Sequence, residues 1–194
     1  MMSHIKNKKQ ISIVDAAREL FWKYGFKRVS VEEICKNANV SKMTFYKFYP
    51  NKIELAKSVY DLLIDKGTSD FHKIIRENTS AEEKIKKILQ LNLESTNNIS
   101  RDFIYDFYSD TELGLKDFIE EKTKQVWKSV IADFEFAQKK GWFRKDINPS
   151  LIFILSQKLI ELMNDPEIIK LYESPQSVIM ALTDFFVYGI TPHK

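Results

Sequence analysis

The chain has 194 residues, 44% of them hydrophobic and 13% aromatic, with five glycines and five prolines, which suits a globular protein burying one sizeable core or a small module on a larger one. It has no apolar run of about 18 residues and its start, Met-Met-Ser-His-Ile-Lys, lacks the apolar stretch of a signal peptide, so no membrane span is expected and the cytoplasm is the expected location. A single cysteine, Cys35, can form neither an internal disulfide nor a CxxC metal motif, and His4, His72 and His193 are scattered, so no metal and no cofactor are expected.

The net charge of +3 is unevenly spread. Residues 1–60 carry twelve Lys and Arg against five Asp and Glu, whereas residues 61–194 carry eighteen against twenty-two. Such a split suits a basic end that meets a polyanion, although a basic solvated face would give the same count.

In chain order, apolar residues at 13, 16, 17, 20, 21 and 24 follow the helical period and Gly25 supplies a C-terminal cap, so a first helix is expected over about 10–24. Ser30-Val-Glu-Glu33 reads as a capping box that starts a short second helix, interrupted near Asn39, a residue type that tolerates the left-handed turn needed there. Ser41 caps a third helix over about 42–48, Pro50 stops it, and Asn51 with Glu54 opens a fourth over about 51–76. Further helices are expected over about 81–97, 100–109, 111–140, 149–164 and 175–189. No strand alternation, internal repeat or flexible linker interrupts them.

Three short helices with a tight turn between the second and third make a helix-turn-helix, whose second member enters the major groove. That member is Val-Ser-Lys-Met-Thr-Phe-Tyr-Lys-Phe-Tyr, residues 40–49. Phe45 and Tyr49 lie four apart and can face the core with Val40, while Lys42, Thr44, Tyr46 and Lys47 fall on other faces. Lys42 and Lys47 are expected on phosphates, the Tyr46 hydroxyl is able to donate to one, and Thr44 is short enough for a base edge. Lys52, one residue past the Asn51 cap, adds charge to helix-terminal amides and is expected on a phosphate too. Ser30 and Ser41, at the two caps, complete the expected set.

The stretch "DAARELFWKYGFKRVSVEEICKNANVSKMTFYKFYPNKIEL" resembles the DNA-binding domain of the TetR family of bacterial transcriptional regulators over about residues 11–56. Ala17, Phe21, Gly25, Phe26, Ser30, Ile34, Ala38, Val40, Ser41, Thr44, Tyr46, Lys52 and Leu55 are among the positions that carry the likeness. Cys35 and Asn39 stand where the family usually has alanine and glycine, and Phe48-Tyr49 reverses its common order, which leaves the Tyr49 hydroxyl in need of a partner. Met43 replaces a frequent small residue on the groove side, where it suits a thymine methyl or the sugar-phosphate wall.

Beyond residue 80 the helices carry mixed faces. Asn92 and Thr96 continue the face of Ile85, Ile88 and Leu89; Thr123, Trp127 and Phe134 share another, and Phe103 and Phe107 lie among aromatic residues beside Asp102, Asp106 and Asp110. Apolar walls with a few polar groups describe an effector pocket, here for a largely apolar or aromatic compound, a cationic one included, and they describe an ordinary helical core equally well. The segments 149–164 and 175–189 are apolar on nearly all sides, so Leu155, Leu159, Met163, Leu182, Phe185 and Phe186 are expected at an interface between two copies, as the family resemblance also implies.

The expected fold is all-α. A helix-turn-helix domain over 1–50 is joined by the shared fourth helix to an effector-binding and dimerisation domain over 51–194. The resemblance implies a DNA-binding regulator and a homodimer, but its effector does not carry over; with the groove spacing and the apolar walls, the expected function is a ligand-responsive repressor that leaves a near-palindromic double-stranded DNA operator when a small, largely apolar molecule binds. The alternative, an all-helical enzyme or carrier using three helices as scaffold, needs a constellation of nucleophile, base or metal ligands that the sequence does not display.

Overall fold

The computed structural model describes residues 7–192 apart from 112 and 164. Among the described residues there is no strand, and the all-α expectation holds. The helices are α1 (Lys8–Tyr24), α2 (Val31–Asn37), α3 (Lys42–Phe48), α4 (Lys52–Arg76), α5 (Ala81–Ser95), α6 (Arg101–Tyr108), α7 (Leu115–Lys139), α8 (Pro149–Leu162), α9 (Pro166–Leu171) and α10 (Pro175–Ile190).

Two compact units divide them. The first holds residues up to Asp65 together with Asn98–Lys122, and the second holds Lys66–Asn97 together with Thr123 onward, so α4 and α7 each run from one unit into the other.

In the first unit local chemistry sets each helix boundary. The Asn7 side chain accepts from the Lys9 N–H at 2.9 Å and starts α1, which buries Ile13, Val14, Ala17 and Phe21 at helical spacing. Gly25, at φ 79° and ψ 169°, ends it in a backbone region that only glycine enters cheaply. The expected capping box is present: Ser30 Oγ accepts from Glu33 N–H at 3.2 Å, and the Glu33 carboxylate accepts from Ser30 N–H at 2.7 Å. Such a cap contributes about 1 kcal/mol. Asn39 takes the left-handed turn at φ 52°, and Ser41 Oγ accepts from Thr44 N–H at 3.2 Å to begin α3. Phe21, Ile34 and Phe45, one from each of the three helices, are fully buried at their centre. Burying each such side chain contributes about 1.5–3 kcal/mol.

α6 belongs to this unit and packs on α1. Phe103 and Phe107 stack on one another with ring centroids 4.3 Å apart, against Trp22 (4.7 Å from Phe103) and Phe21 (6.2 Å from Phe107).

The second unit has its own core of Ile74, Ile75, Ile85, Ile88, Phe134, Ala137, Phe143, Ile152, Val187 and Ile190. Two charged groups are buried beside it with their partners. Lys84 donates to the carbonyls of Ile74 (3.0 Å) and Glu77 (2.6 Å), closing the end of α4, and burial pulls its pKa down. Asp133 accepts from Arg76 Nε at 3.2 Å and lies 2.9 Å from His72 Nδ1.

Some boundaries differ from expectation, and one helix was not expected. α7 begins at Leu115 rather than near 111, because the Asp110 carboxylate accepts from Leu113 N–H at 3.1 Å and Gly114 sits at φ 67°. α8 ends at Leu162, and residue 164, the expected end, lies outside the described residues. α9 was not expected; Asp165 caps it by accepting from Glu167 N–H at 2.8 Å, with Pro166 at its first position.

Candidate nucleic-acid interface

α3 is anchored on one side and bare on the other. Phe45 is fully buried, and Tyr49 is buried with its hydroxyl 3.3 Å from Gln10 Nε2, which donates to it. That is the partner the Tyr49 hydroxyl was expected to need. The opposite face leaves Met43 83% exposed and Tyr46 55% exposed, with Lys42 and Lys47 also exposed and Thr44 half-buried between them. A rigid helix with basic, hydroxyl and thioether groups turned outward suits insertion into a groove.

The basic groups are not all equally available. Lys42 pairs with Glu32 on α2, and this hydrogen bond raises the lysine's pKa and lowers the carboxylate's. Both side chains are exposed, so the pair is weak and a phosphate can displace Glu32 at little cost. Lys52 is turned inward. Its ammonium donates to the Phe26 carbonyl at 2.8 Å and the Val29 carbonyl at 2.7 Å and lies 4.2 Å from the centre of the Phe26 ring, and burial pulls its pKa down. Two of its three N–H donors thus hold the α1–α2 loop, leaving one for a phosphate. Ser30 spends its hydroxyl on Glu33, accepting at 3.2 Å and donating at 2.8 Å, so it acts first as a cap. Ser41 shares its hydroxyl with Thr44 Oγ1 at 3.1 Å.

The α1–α2 loop is also gripped from α6. The buried Asp106 carboxylate accepts from Lys27 N–H at 2.9 Å, the Lys27 ammonium pairs with Asp110, and Arg28 faces Asp102 at 3.7 Å. A Cβ on Gly25 would stand 2.6 Å from Asp102 Cβ and 2.9 Å from Asp106 Oδ2, so the close approach of α6 itself requires glycine. Asp102, Asp106 and Asp110 thus each meet a group of the α1–α2 loop.

Residues 13–59 match the model for "Bacterial regulatory proteins, tetR family". Over these residues, which hold α2, α3 and most of α1, the chain is similar to the TetR family. That family is one of transcriptional regulators and not of enzymes. Among its relatives is the uncharacterized HTH-type transcriptional regulator YhgD of Bacillus subtilis (strain 168), 25% identical over 161 residues that cover 80% of this chain and 82% of that one. The fatty acid metabolism regulator protein of the same organism is 27% identical over 84 residues, so the match spans only 43% of each chain. Among solved structures, the fatty acid degradation regulator FadR from Bacillus halodurans superimposes with a TM-score of 0.69 at 18% identity, covering 95% of this chain and 97% of that one. At that identity the likeness is one of fold.

The remaining expected residues fall as follows. Those expected around an effector are divided between the units: Phe103 and Phe107 in the first, Asn92, Thr96, Thr123, Trp127 and Phe134 in the second. Phe103 and Phe107 are buried against α1. Trp127 stacks on Phe134 (6.5 Å) and meets Phe153 (5.1 Å), while Asn92 donates to the Ile88 carbonyl at 3.1 Å and Thr96 to the Asn92 carbonyl at 2.7 Å. Of the residues expected between two copies, Phe185 is 83% exposed and Leu155 43%. Leu159, Met163 and Leu182 are half-buried, and Phe186 packs against its own unit's core. The α6 grip on Lys27 is the element that sequence reading missed, since nothing local links residues 79 positions apart.

Proposed function

We propose that this chain is a TetR-family regulator that works as a cytoplasmic homodimeric repressor, with residues 1–50 as its DNA-binding part and 51–194 as its effector-binding and dimerisation part. The exposed face of α3 on a buried scaffold carries the reading. Met43, Thr44, Tyr46 and Lys47 face the groove, with Lys42 on a phosphate once Glu32 is displaced. The effector is a small, largely apolar molecule, held in the second unit near Thr123, Trp127 and Phe134. Fatty acyl compounds are the first to try, because one relative is named for fatty acid metabolism and the rings of that unit offer apolar walls. Binding must favour one arrangement of the DNA-binding parts by its differential affinity, and α4 and α7, continuous between the units, are the means of transmission.

The test is to let the protein select fragments from its own genome and then titrate acyl compounds against the selected duplex. Selection of a near-palindrome released by an acyl compound supports the reading. Thr44→Ala and Tyr46→Ala should each weaken binding to that duplex by about 1–3 kcal/mol with the fold intact. Unchanged affinity in the folded double variant would remove α3 from the groove.

A further inference from the structure

A cleft of about 540 Å³ opens between the first turn of α1 and the outer edge of α3, lined by Asn7, Lys8, Lys9, Thr44, Lys47 and Phe48. We propose that this cleft seats the sugar-phosphate backbone beside the groove that α3 reads, with Lys8 and Lys9 as phosphate contacts on a second element. The proposal rests on the DNA-binding reading of α3 and extends it to α1.

Three observations point the same way. Lysines from two helices converge on one opening whose lining contains no carboxylate. Among the described residues none of the three is ion-paired, in contrast to Lys42, which has Glu32. Three ammonium groups facing one space repel each other, and a polyanion is the occupant that relieves this. Phe48, half-buried in the lining, adds an apolar surface of the kind that lysine stems can cover while their charged heads stay in water.

Position is the second part. Thr44, Lys47 and Phe48 are spaced three and four apart and so form one ridge of α3, the ridge turned toward α1. Thr44 therefore sits on the lip between the groove-facing surface and the cleft. The hydrogen bond from Gln10 to Tyr49 fixes the first turn of α1 at the end of α3. Asn7 closes that turn through the Lys9 N–H. A duplex seated on α3 brings one strand across this lip, and the cleft has room for a stretch of backbone rather than a single ion.

The test measures the salt dependence of binding to a random-sequence 40-base-pair duplex by fluorescence anisotropy, using the full chain, because phosphate contacts are independent of sequence. Lys8→Gln/Lys9→Gln should reduce the slope of log K against log salt by roughly 0.9 for each phosphate no longer neutralised, with helix content by circular dichroism unchanged. Lys42→Gln serves as the reference on α3. Lys139→Gln/Lys145→Gln, two lysines lining a cleft of about 390 Å³ in the other unit, serves as the charge control and should leave the slope alone. If the Lys8/Lys9 variant keeps the wild-type slope while Lys42→Gln lowers it, the cleft is not on the DNA and the inference falls, with the α3 reading intact. If the control lowers the slope as much, net charge alone is at work and the inference falls again. A wild-type slope near zero would overturn the DNA-binding reading and this inference with it.

Discussion

At the scale of single residues, the two glycines 25 and 67 make opposite predictions from the same substitution. Gly25 holds φ 79° and ψ 169°, and an added Cβ would meet the backbone-bound Cβ of Asp102 at 2.6 Å. Gly25→Ala therefore combines backbone strain with a clash that no rotamer relieves, and should lower unfolding free energy by about 1–3 kcal/mol or more. Gly67 sits within α4 with nothing within 4 Å of an added methyl, so Gly67→Ala should raise it by about 0.5–1 kcal/mol. Urea titration of both variants checks the pair; equal effects would mean that the α6 approach is slack. Lys52 sets up a different contrast. Lys52→Met keeps an apolar stem but removes the ammonium over the Phe26 ring and strips the Phe26 and Val29 carbonyls of their donor, so stability should fall by about 1–3 kcal/mol. If its third N–H also reaches a phosphate, the salt slope of DNA binding falls by roughly 0.9 as well. A stability loss with no change in slope would make Lys52 a positioning residue alone.

At the scale of elements, most of the chain was legible because most of its boundaries are local. Gly25, Ser30 with Glu33, Asn39, Ser41 and Pro50 each act within a turn of themselves, and each does in the structure what its chemistry announces. The exposed face of α3 was legible for the same reason, since the helical phase that buries Phe45 and Tyr49 must expose Met43, Tyr46 and Lys47. What escaped was long-range. Lys52 turns inward because of carbonyls 26 and 23 positions before it, and Phe103 and Phe107 show an apolar face whose cover, α1, no periodicity can name. α9 is the exception, a short helix whose cap, Asp165-Pro166, was present in the sequence between the two expected helices 149–164 and 175–189. The α6 grip is the element-level feature most worth testing. Asp106→Ala leaves the Lys27 N–H without its acceptor beside a buried surface, and should cost about 1–3 kcal/mol of stability and weaken DNA binding by loosening the α1–α2 loop. Asp106→Asn keeps an oxygen in place and should recover most of both. Equal loss in the two variants would assign the effect to charge rather than to this hydrogen bond.

At the scale of the whole molecule, the second unit leaves more apolar surface in water than its own core explains. Leu151, Ile154, Leu155 and Leu162 of α8 are 46%, 55%, 43% and 37% exposed, and Phe185 and Tyr188 of α10 are 83% and 58% exposed. Scattered apolar residues are ordinary on a surface, but these are concentrated on two helices that are themselves mostly apolar. A helix-turn-helix reader also needs two recognition helices about 34–36 Å apart, or a multiple of that, to span two half-sites, which a second copy supplies by two-fold symmetry. In a two-fold interface each substitution enters twice. Phe185→Glu would place two carboxylates in an apolar seam and remove two rings, each worth about 1.5–3 kcal/mol when buried. The variant should sediment as a monomer at micromolar concentration, keep its helix content because Phe185 touches little of its own unit, and lose affinity for the selected duplex, since one half-site offers too few contacts. Leu155→Glu should do the same from α8. Ile152→Glu, by contrast, strikes a side chain only 2% exposed and should unfold the unit rather than split a dimer. If Phe185→Glu and Leu155→Glu both remain dimeric and hold the duplex as tightly as the parent, the two copies meet through some other surface and the exposed face of α8 and α10 is free for another partner.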